Sequence, residues 1–247
     1  MTYHPFFEDG AHRPGKWLVT CDHATNTVPP FVGNGSLGIS EADMARHIAY
    51  DPGAAGVAWQ LAEELNSAYI GSNFSRLVID PNRGEDDPTL VMKLYDGTII
   101  PANRVITEQG KTERLERCYR PYDAALDRLA IRQNDTILVS IHSFTPQFRG
   151  RAPRPWHVGI LFAEDERLSR PLIDRLQEDP RLVVGENEPY TGALAGDALD
   201  RHAVSKGRPH ALIELRNDLI KTEAEQVAWA RRLAPVLLQA AEDAGLV

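Results

Sequence analysis

The stretch Ile137-Leu-Val-Ser-Ile-His-Ser143 decides the fold class of this chain. A short run rich in β-branched residues is typical of a buried strand, and this run leads directly into His142. Val19-Thr-Cys-Asp-His23 repeats the arrangement, and His210-Ala-Leu-Ile-Glu214 repeats it with a carboxylate. Ligands bind at the carboxyl edge of open α/β sheets, so three such strand ends indicate a functional site at that edge.

Strand-like and helix-like segments alternate on both sides of these runs. The predicted strands are 16–21, 68–70, 76–80, 137–141, 158–162, 183–184 and 210–213. The predicted helices begin after Ser40, after Asp51 as N-cap, and at Thr107 or Thr112, and two more cover 168–178 and 223–244. This alternation predicts an α/β fold with a mixed, mostly parallel sheet flanked by helices on both faces. A length of 247 residues fits one domain, 1–247.

The amino-acid composition indicates which kinds of molecule the protein binds. A formal charge of −8, with no run of lysine or arginine, argues against nucleic acid and favours a small solute. We expect no membrane association and a cytoplasmic location, because the sequence shows neither a signal-like start nor about 20 consecutive apolar residues. The two cysteines, Cys21 and Cys118, form neither a disulfide framework nor a CxxC zinc motif. The oligomeric state stays open.

The strand-end histidines are candidate metal ligands. A catalytic zinc site needs about three protein ligands and one open position, and His23 and His142 can supply two nitrogens. Asp51, Asn26 and Asp22 are the candidates for an oxygen ligand. A carboxylate binds zinc better than a neutral amide, which favours Asp51, whereas Asn26 suits the orientation of a ligand or substrate. Asp51 is equally well explained as a helix N-cap.

Other polar residues are candidates for catalysis and substrate binding. Glu214 is placed to act as the general base, and His202, in a predicted loop, is a candidate donor to a transition-state oxyanion. Arg76 could anchor a substrate carboxylate, assisted by Arg83 or Asn82, because guanidinium groups bind carboxylates through two parallel hydrogen bonds. The same arginines could equally form surface ion pairs.

Several features carry no site prediction. His47, His157 and His210 lack a comparable strand-end position and are expected to be structural or exposed. The acidic stretch 84–97 is predicted to be a surface loop able to cover part of the site. There is no GxSxG motif and no glycine-rich phosphate loop, so serine-hydrolase chemistry and dinucleotide binding have little support.

An ordered set of motifs resembles the N-formylglutamate amidohydrolase family. The set consists of Cys21-Asp-His-Ala-Thr-Asn26, Asp51, Ser75-Arg-Leu-Val-Ile-Asp-Pro-Asn-Arg83, Ile141-His-Ser143, Asn187-Glu-Pro-Tyr190, Arg201-His202 and Ile213-Glu-Leu-Arg-Asn217. The segment that ends at Arg83 is its most specific part. The resemblance implies a zinc-dependent, exopeptidase-like α/β fold that hydrolyses an N-acyl amino acid, with N-formylglutamate as the name-giving substrate.

The same fold resembles that of zinc-dependent bacterial cell-wall amidases. Carried over by position, their pattern implies His23, Asp51 and His142 as metal ligands and Glu214 as the base. This chain has Cys-Asp-His-Ala around the first histidine and Ser-Ile-His-Ser around the second, where better-studied family members tend to have Pro-His-Ser-Gly and Asp-Gly-His-Ser. A change of acyl group or amino-acid side chain would follow readily from these departures, so N-formylglutamate is one candidate substrate among others.

Together, the residues and the resemblance predict an enzyme with one Zn²⁺, or another divalent metal ion, per chain. The expected substrate is a small anionic N-acyl amino acid. Two alternatives are a non-catalytic protein that binds a small molecule on the same fold, and a peptide or cell-wall amidase. The lack of a signal-like start counts against the second of them.

Overall fold

The computed structural model describes residues 3–148 and 150–247 and is built on a seven-stranded sheet. The strand order is β1-β3-β2-β6-β9-β7-β8. The strands are β1 (Phe6–Asp9), β2 (Trp17–Cys21), β3 (Ala68–Ser72), β6 (Ile137–Phe144), β7 (Val158–Leu161), β8 (Val184–Glu186) and β9 (His210–Arg216), and β4 (Leu94–Tyr95) and β5 (Thr98–Ile99) form a separate hairpin. β3, β2, β6 and β9 run parallel to one another. At the two edges, β1 runs antiparallel to β3 and β7 runs antiparallel to β9, whereas β8 runs parallel to β7. The predicted mixed, mostly parallel sheet is confirmed.

Helices cover both faces of this sheet. They are α1 (Glu41–Met44), α2 (Ala54–Glu64), α3 (Pro101–Arg104), α4 (Glu108–Arg114), α5 (Arg120–Ala130), α6 (Ser169–Gln177), α7 (Ala198–His202) and α8 (Glu223–Asp243), and a π turn, Leu115–Tyr119, joins α4 to α5. Alternate residues of β2 point to opposite faces. Val19 packs with α2, α6 and α8 on one face, and Leu18 packs with α5 on the other. None of the helices in the described residues has the length and hydropathy needed to cross a membrane.

The prediction of a strand at 76–80 is wrong. Leu77, Val78 and Ile79 are all fully buried, but the segment forms a turn and an irregular stretch outside the sheet. Buried side chains satisfy its carbonyl groups in place of a neighbouring strand. Asn103 Nδ2 donates to the carbonyl of Leu77 at 2.7 Å, and Arg114 Nη1 donates to that of Val78 at 2.8 Å.

The prediction that Asp51 caps α2 is also wrong. The N-cap is Gly53, which has a left-handed φ of 82° and makes no side-chain capping bond. A Cβ atom at this glycine would lie 2.2 Å from the carbonyl oxygen of Ile220. Both the left-handed φ and this close contact therefore favour glycine at the position. The carboxylate of Asp51 is therefore free to turn into the protein, where it is almost completely buried.

Other boundaries differ less from the predictions. Ser40 caps α1 as predicted, because its side chain accepts a hydrogen bond from the backbone N–H of Asp43. Thr107 caps α4 in the same way. β1, α3, α7 and the short hairpin were not predicted, and α7 replaces the loop that was expected around His202.

Candidate metal and catalytic site

The candidate site lies at the carboxyl edge of the three central parallel strands. His142 on β6 and Glu214 on β9 are direct register partners, and His23 follows the end of β2 by two residues. Paired residues of neighbouring strands point to the same face of a sheet, so His142 and Glu214 share one face. All three side chains are buried. The structure thus brings together the three residues that the strand-end pattern singled out.

A carboxylate from the turn before α2 meets the two histidines. Asp51 Oδ2 lies 2.9 Å from His142 Nδ1 and 3.2 Å from His23 Nδ1. One ligand atom from each of the three residues lies within 4.8 Å of the other two, a spacing that can hold a metal ion. The donor set of two imidazole nitrogens and one carboxylate oxygen is one that zinc accepts in catalytic sites.

Each histidine has a second carboxylate on the far side of its ring. Asp80 Oδ1 lies 2.7 Å from His23 Nε2, and Asp22 Oδ2 lies 3.3 Å from His142 Nε2. Tyr122 donates its hydroxyl to Asp22 Oδ1 at 2.6 Å. A carboxylate that holds the proton on Nε2 leaves the Nδ1 lone pair directed at the centre. Asp22, an open candidate for ligand in the sequence, therefore lies behind His142.

The buried carboxylates of this cluster create an electrostatic environment that favours a bound cation. Burial alone would raise the pKa of Asp51, but the neighbouring histidines hold it well below its usual range. The pKa of Asp80 is likewise held well below its usual range, because His23 and Arg76 outweigh burial. Burial opposes a charge on His142, yet Asp22 and Asp51 raise its pKa well above the usual range. The buried carboxylates thus favour positive charge at their centre, which a metal ion could supply in place of a proton.

The cluster opens into a cavity of about 290 Å³. Glu214 lines this cavity, and its Oε2 atom has no hydrogen-bond partner among the described residues. Burial raises the pKa of Glu214 to about 7, with His142 lowering it and Asp51 raising it further. A carboxyl group with a pKa near neutral pH, beside a candidate metal centre, is suited to accept and release protons.

Arg76, Arg83 and Asn82 also line the cavity. Arg76 is buried and fully engaged, because its Nη2 lies 3.0 Å from Asp80 Oδ2 and its Nη1 lies 3.5 Å from Asp51 Oδ1. Arg83 donates to Thr89 Oγ1 and to the carbonyl of Asn82, and forms no ion pair with the described residues. Arg83 is therefore better placed than Arg76 to receive a substrate carboxylate.

Contacts from the π turn and from α7 fix the backbone next to Arg83. Tyr119 donates its hydroxyl to the carbonyl of Arg83 at 2.7 Å, and Arg201 Nη2 donates to the carbonyl of Pro81 at 2.9 Å. Asn82 Oδ1 accepts a hydrogen bond from the backbone N–H of Ala198 at 3.0 Å. Asn82 thus ties the cavity wall to α7, and its side-chain oxygen is already engaged.

Two of the predicted site residues are brought neither to the cavity nor to the cluster of His23, Asp51 and His142. Asn26 is exposed, and its side-chain amide donates to the carbonyl of Met44 at 2.9 Å. His202 is buried in α7, where its Nε2 lies 2.7 Å from Asp123 Oδ1. Neither residue lines the cavity, so the roles expected for them, substrate binding and oxyanion stabilisation, gain no support from their positions.

The cavity is also lined by residues that were not predicted individually as part of the site. His47, expected to be structural or exposed, lines it with Nδ1 at 3.2 Å from Asp51 Oδ1. Tyr95, from the hairpin in the acidic loop 84–97, forms part of the wall, so this loop does border the site. Asp197 and Tyr190 also line it. Tyr190 belongs to the motif Asn187-Glu-Pro-Tyr190, which was given no role at the site, whereas nothing in the local sequence of Asp197 indicated its position here.

The fold and the site define an α/β protein with a buried cluster of histidines and carboxylates at the carboxyl edge of its sheet, and sequence comparison identifies its family. The chain belongs to the N-formylglutamate amidohydrolase family, whose model matches residues 15–221. It is 25% identical over 196 residues to an N-formylglutamate deformylase from Pseudomonas putida, an alignment that covers 71% of this chain and 72% of the relative. The predicted family membership is confirmed.

Two solved structures extend the comparison. A gene product of Agrobacterium tumefaciens superimposes with a TM-score of 0.90 at 32% identity, over 97% of this chain and 95% of that one. The N-formylglutamate amidohydrolase from Ralstonia eutropha superimposes with a TM-score of 0.65 at 19% identity, over 98% of both chains. At 19% identity the second likeness shows the shared fold alone.

Proposed function

We propose that this protein is a zinc-dependent amidohydrolase that cleaves an N-acyl amino acid, of the N-formyl type, into the free amino acid and a carboxylate. The observation that carries the proposal is the convergence of His23, Asp51 and His142 within 4.8 Å, beside the unpartnered carboxyl of Glu214. Family membership supports hydrolysis of a linear amide. The name of the Pseudomonas putida relative supports a formyl group as the acyl part.

The three converging side chains would hold one zinc ion per chain. His23 and His142 would bind through Nδ1 and Asp51 through Oδ2, since these are the atoms that face one another. When bound, the metal ion supplies a Lewis acid that activates a water molecule and polarises the acyl carbonyl. Three protein ligands leave room for both roles, as catalytic zinc sites require.

Asp80→Asn is expected to weaken metal binding about 10- to 100-fold, the usual cost of losing a carboxylate behind a ligating histidine. Asp80 Oδ1 lies 2.7 Å from His23 Nε2, so the amide would hold the ring in its orientation less firmly. Competition with a chelator of known affinity measures the change. Asp135→Asn is the matched control, because Asp135 is exposed and pairs only with Lys16 in the described residues. An affinity within twofold of the wild type for Asp80→Asn would contradict the role.

Glu214 would act as the general base and then as the acid. Its carboxylate takes a proton from the attacking water and returns it to the departing nitrogen, so one group serves both half-reactions. Without a metal ion, burial raises the pKa of Glu214 to about 7, and a bound cation would lower it, so the carboxylate form needed to accept the proton would predominate at neutral pH. The adjacent cavity gives the acyl carbon access to this carboxylate.

Arg83 would bind the α-carboxylate of the substrate. We expect Arg83→Gln to raise KM about 10- to 100-fold with little change in kcat, because the lost bond exists equally in the ground state and transition state. Initial rates over a wide range of substrate concentration separate the two constants. Arg120→Gln is the control, since Arg120 is an exposed arginine paired with Glu85. A drop in kcat at unchanged KM would instead place Arg83 in the chemical step.

The test of the proposed function combines metal analysis with a substrate panel. Protein purified without added metal is analysed by mass spectrometry, then assayed with N-formyl, N-acetyl and N-succinyl amino acids. The expected result is near one zinc per chain, with release of free amino acid that a chelator abolishes and zinc restores. Absence of hydrolysis with all substrates after zinc, manganese or cobalt is added back would overturn the proposal.

A further inference from the structure

The part of the cavity away from the metal cluster is mostly apolar. Leu161 on β7 and Leu212 on β9 are register partners and line it together with Leu194. Tyr190 contributes a largely apolar ring to the same wall. If the acyl amide lies over the metal ligands, this region is what remains for the amino-acid side chain.

The cavity holds few positive charges for an anionic substrate. Among the described residues that line it, the only arginines or lysines are Arg76 and Arg83. Arg76 already faces Asp80 and Asp51 at 3.0 and 3.5 Å, so its charge is balanced. Arg83 alone is left for the α-carboxylate. A second carboxylate, such as that of a glutamate side chain, would have no cation to pair with, and burying an unpaired charge is strongly unfavourable.

The same cavity is also lined by a carboxyl group. Asp197 is only 5% exposed and lines the cavity. Its Oδ1 accepts a hydrogen bond from the backbone N–H of Asp200 at 2.8 Å, whereas Oδ2 has no partner in the part of the chain that the structure describes. Burial raises the pKa of Asp197 to about 6, so it is mostly ionised at pH 7.5.

The position of Asp197 is fixed relative to the substrate anchor. The next residue, Ala198, donates its backbone N–H to Asn82 Oδ1 at 3.0 Å, and Asn82 directly precedes Arg83. A substrate held by Arg83 therefore lies near Asp197. An anion at this place repels a carboxylate and attracts an ammonium group, and the leucines nearby suit the aliphatic stem of a long side chain.

We infer that the side-chain subsite selects N-acyl amino acids with a cationic side chain and excludes a glutamate side chain. Asp197 is the residue that sets this specificity, and Leu161, Leu194 and Leu212 contact the stem. The inference rests on the proposed amidohydrolase function and names its substrate class. It departs from the substrate after which the family is named.

The test compares three substrates with the zinc-loaded protein at pH 7.5. They are N-formyl-lysine, N-formyl-leucine and N-formyl-glutamate, which share the acyl group and the α-carboxylate. The expected kcat/KM for the lysine compound is about tenfold or more above that for the glutamate compound, and above that for the leucine compound.

Two variants separate charge from structure. Asp197→Asn removes the charge but keeps a side chain that caps helices well. It is expected to lower kcat/KM for N-formyl-lysine about tenfold, to leave N-formyl-leucine within threefold, and to raise N-formyl-glutamate. Asp200→Asn is the matched control, because Asp200 lies in the same helix but does not line the cavity. It should leave the order of the three substrates unchanged.

Each other outcome has a distinct meaning. N-formyl-glutamate hydrolysed as well as or better than N-formyl-lysine overturns the inference and leaves the amidohydrolase function standing. N-formyl-leucine as the best substrate, with Asp197→Asn unchanged, overturns it in favour of a purely apolar subsite. No hydrolysis of any formyl compound by the zinc-loaded protein, across the wider acyl panel as well, overturns the proposed function and this inference with it.

Discussion

Replacing His142 by glutamine is expected to remove the bound metal and to lower kcat/KM at least about 10,000-fold, since without the metal the pKa of the attacking water returns from about 7 to 15.7. His142 Nδ1 lies 2.9 Å from Asp51 Oδ2, and without it only two of the three converging ligands remain. Glutamine keeps a polar group near the buried carboxylates of Asp51 and Asp22, which limits the loss of folding stability. Metal content after dialysis and hydrolysis rate are measured on the same preparation.

His202→Gln is the matched control for this variant. His202 is also a buried histidine that contacts an aspartate, Asp123, but it does not line the cavity. We expect its metal content to match the wild type and its kcat to stay within about threefold. A large loss of kcat with metal retained would support the oxyanion role that the sequence suggested for His202. Retention of tightly bound metal by His142→Gln would contradict the ligand assignment.

Glu214→Gln is expected to lower kcat about 1,000-fold while the metal content stays near one per chain, because general acid–base catalysis is worth roughly 100- to 10,000-fold. Glutamine has nearly the same shape but cannot accept the proton. Glu178→Gln, at an exposed carboxylate in an ion pair with Arg175, controls for the loss of one charge. Turnover within tenfold of the wild type, with metal bound, would show that Glu214 is not the base.

The loss of activity at low pH should follow protonation of the Glu214 carboxylate. Burial raises the pKa of Glu214 to about 7, and only the ionised form can accept a proton. Activity is therefore expected to fall as the pH is lowered below about 7, and a bound cation would move this loss to lower pH. A wild-type profile that does not fall anywhere between pH 8 and pH 5 would contradict this expectation.

The folding stability of the metal-free protein should decrease with rising pH, whereas the activity increases. Because the folded-state pKa of Glu214 lies above the unfolded value of 4.5, the folded protein holds the proton more tightly between these values. Folding stability therefore falls as the pH rises from about 4.5 to about 7, and the loss is complete above the folded-state pKa. Metal-free Glu214→Gln should melt above the wild type at pH 8, and the difference should shrink toward pH 5.

The strand-end pattern predicted the centre of the site because it depends on local chemistry alone. An apolar run that stops at a histidine or glutamate gives both the strand and the edge at which it ends. Parallel pairing then brings such ends together without further information, as the register of His142 and Glu214 shows. The position of His23, His142 and Glu214 at this edge of the sheet could therefore be predicted from the sequence.

The rest of the site depends on contacts between distant segments, which local patterns do not contain. Asp80 meets His23 across 57 residues of chain, and Tyr122 meets Asp22 across 100. The segment at 76–80 has the composition of a strand, but Asn103 and Arg114 bind its carbonyl groups and keep it out of the sheet. Asp197 likewise reaches the cavity only because α7 packs against the segment that contains Asn82.

The strand order has a consequence for how the protein assembles. β2, β6 and β9 are neighbours in the sheet, yet they come from opposite ends and the middle of the chain. Pairing of such distant strands is slow, because the entropic cost of closing a long loop comes before the stabilising contacts between the strands can form. We therefore expect His23, Asp51 and His142 to come together late in folding. A metal ion would then bind a nearly folded protein and would not nucleate its folding.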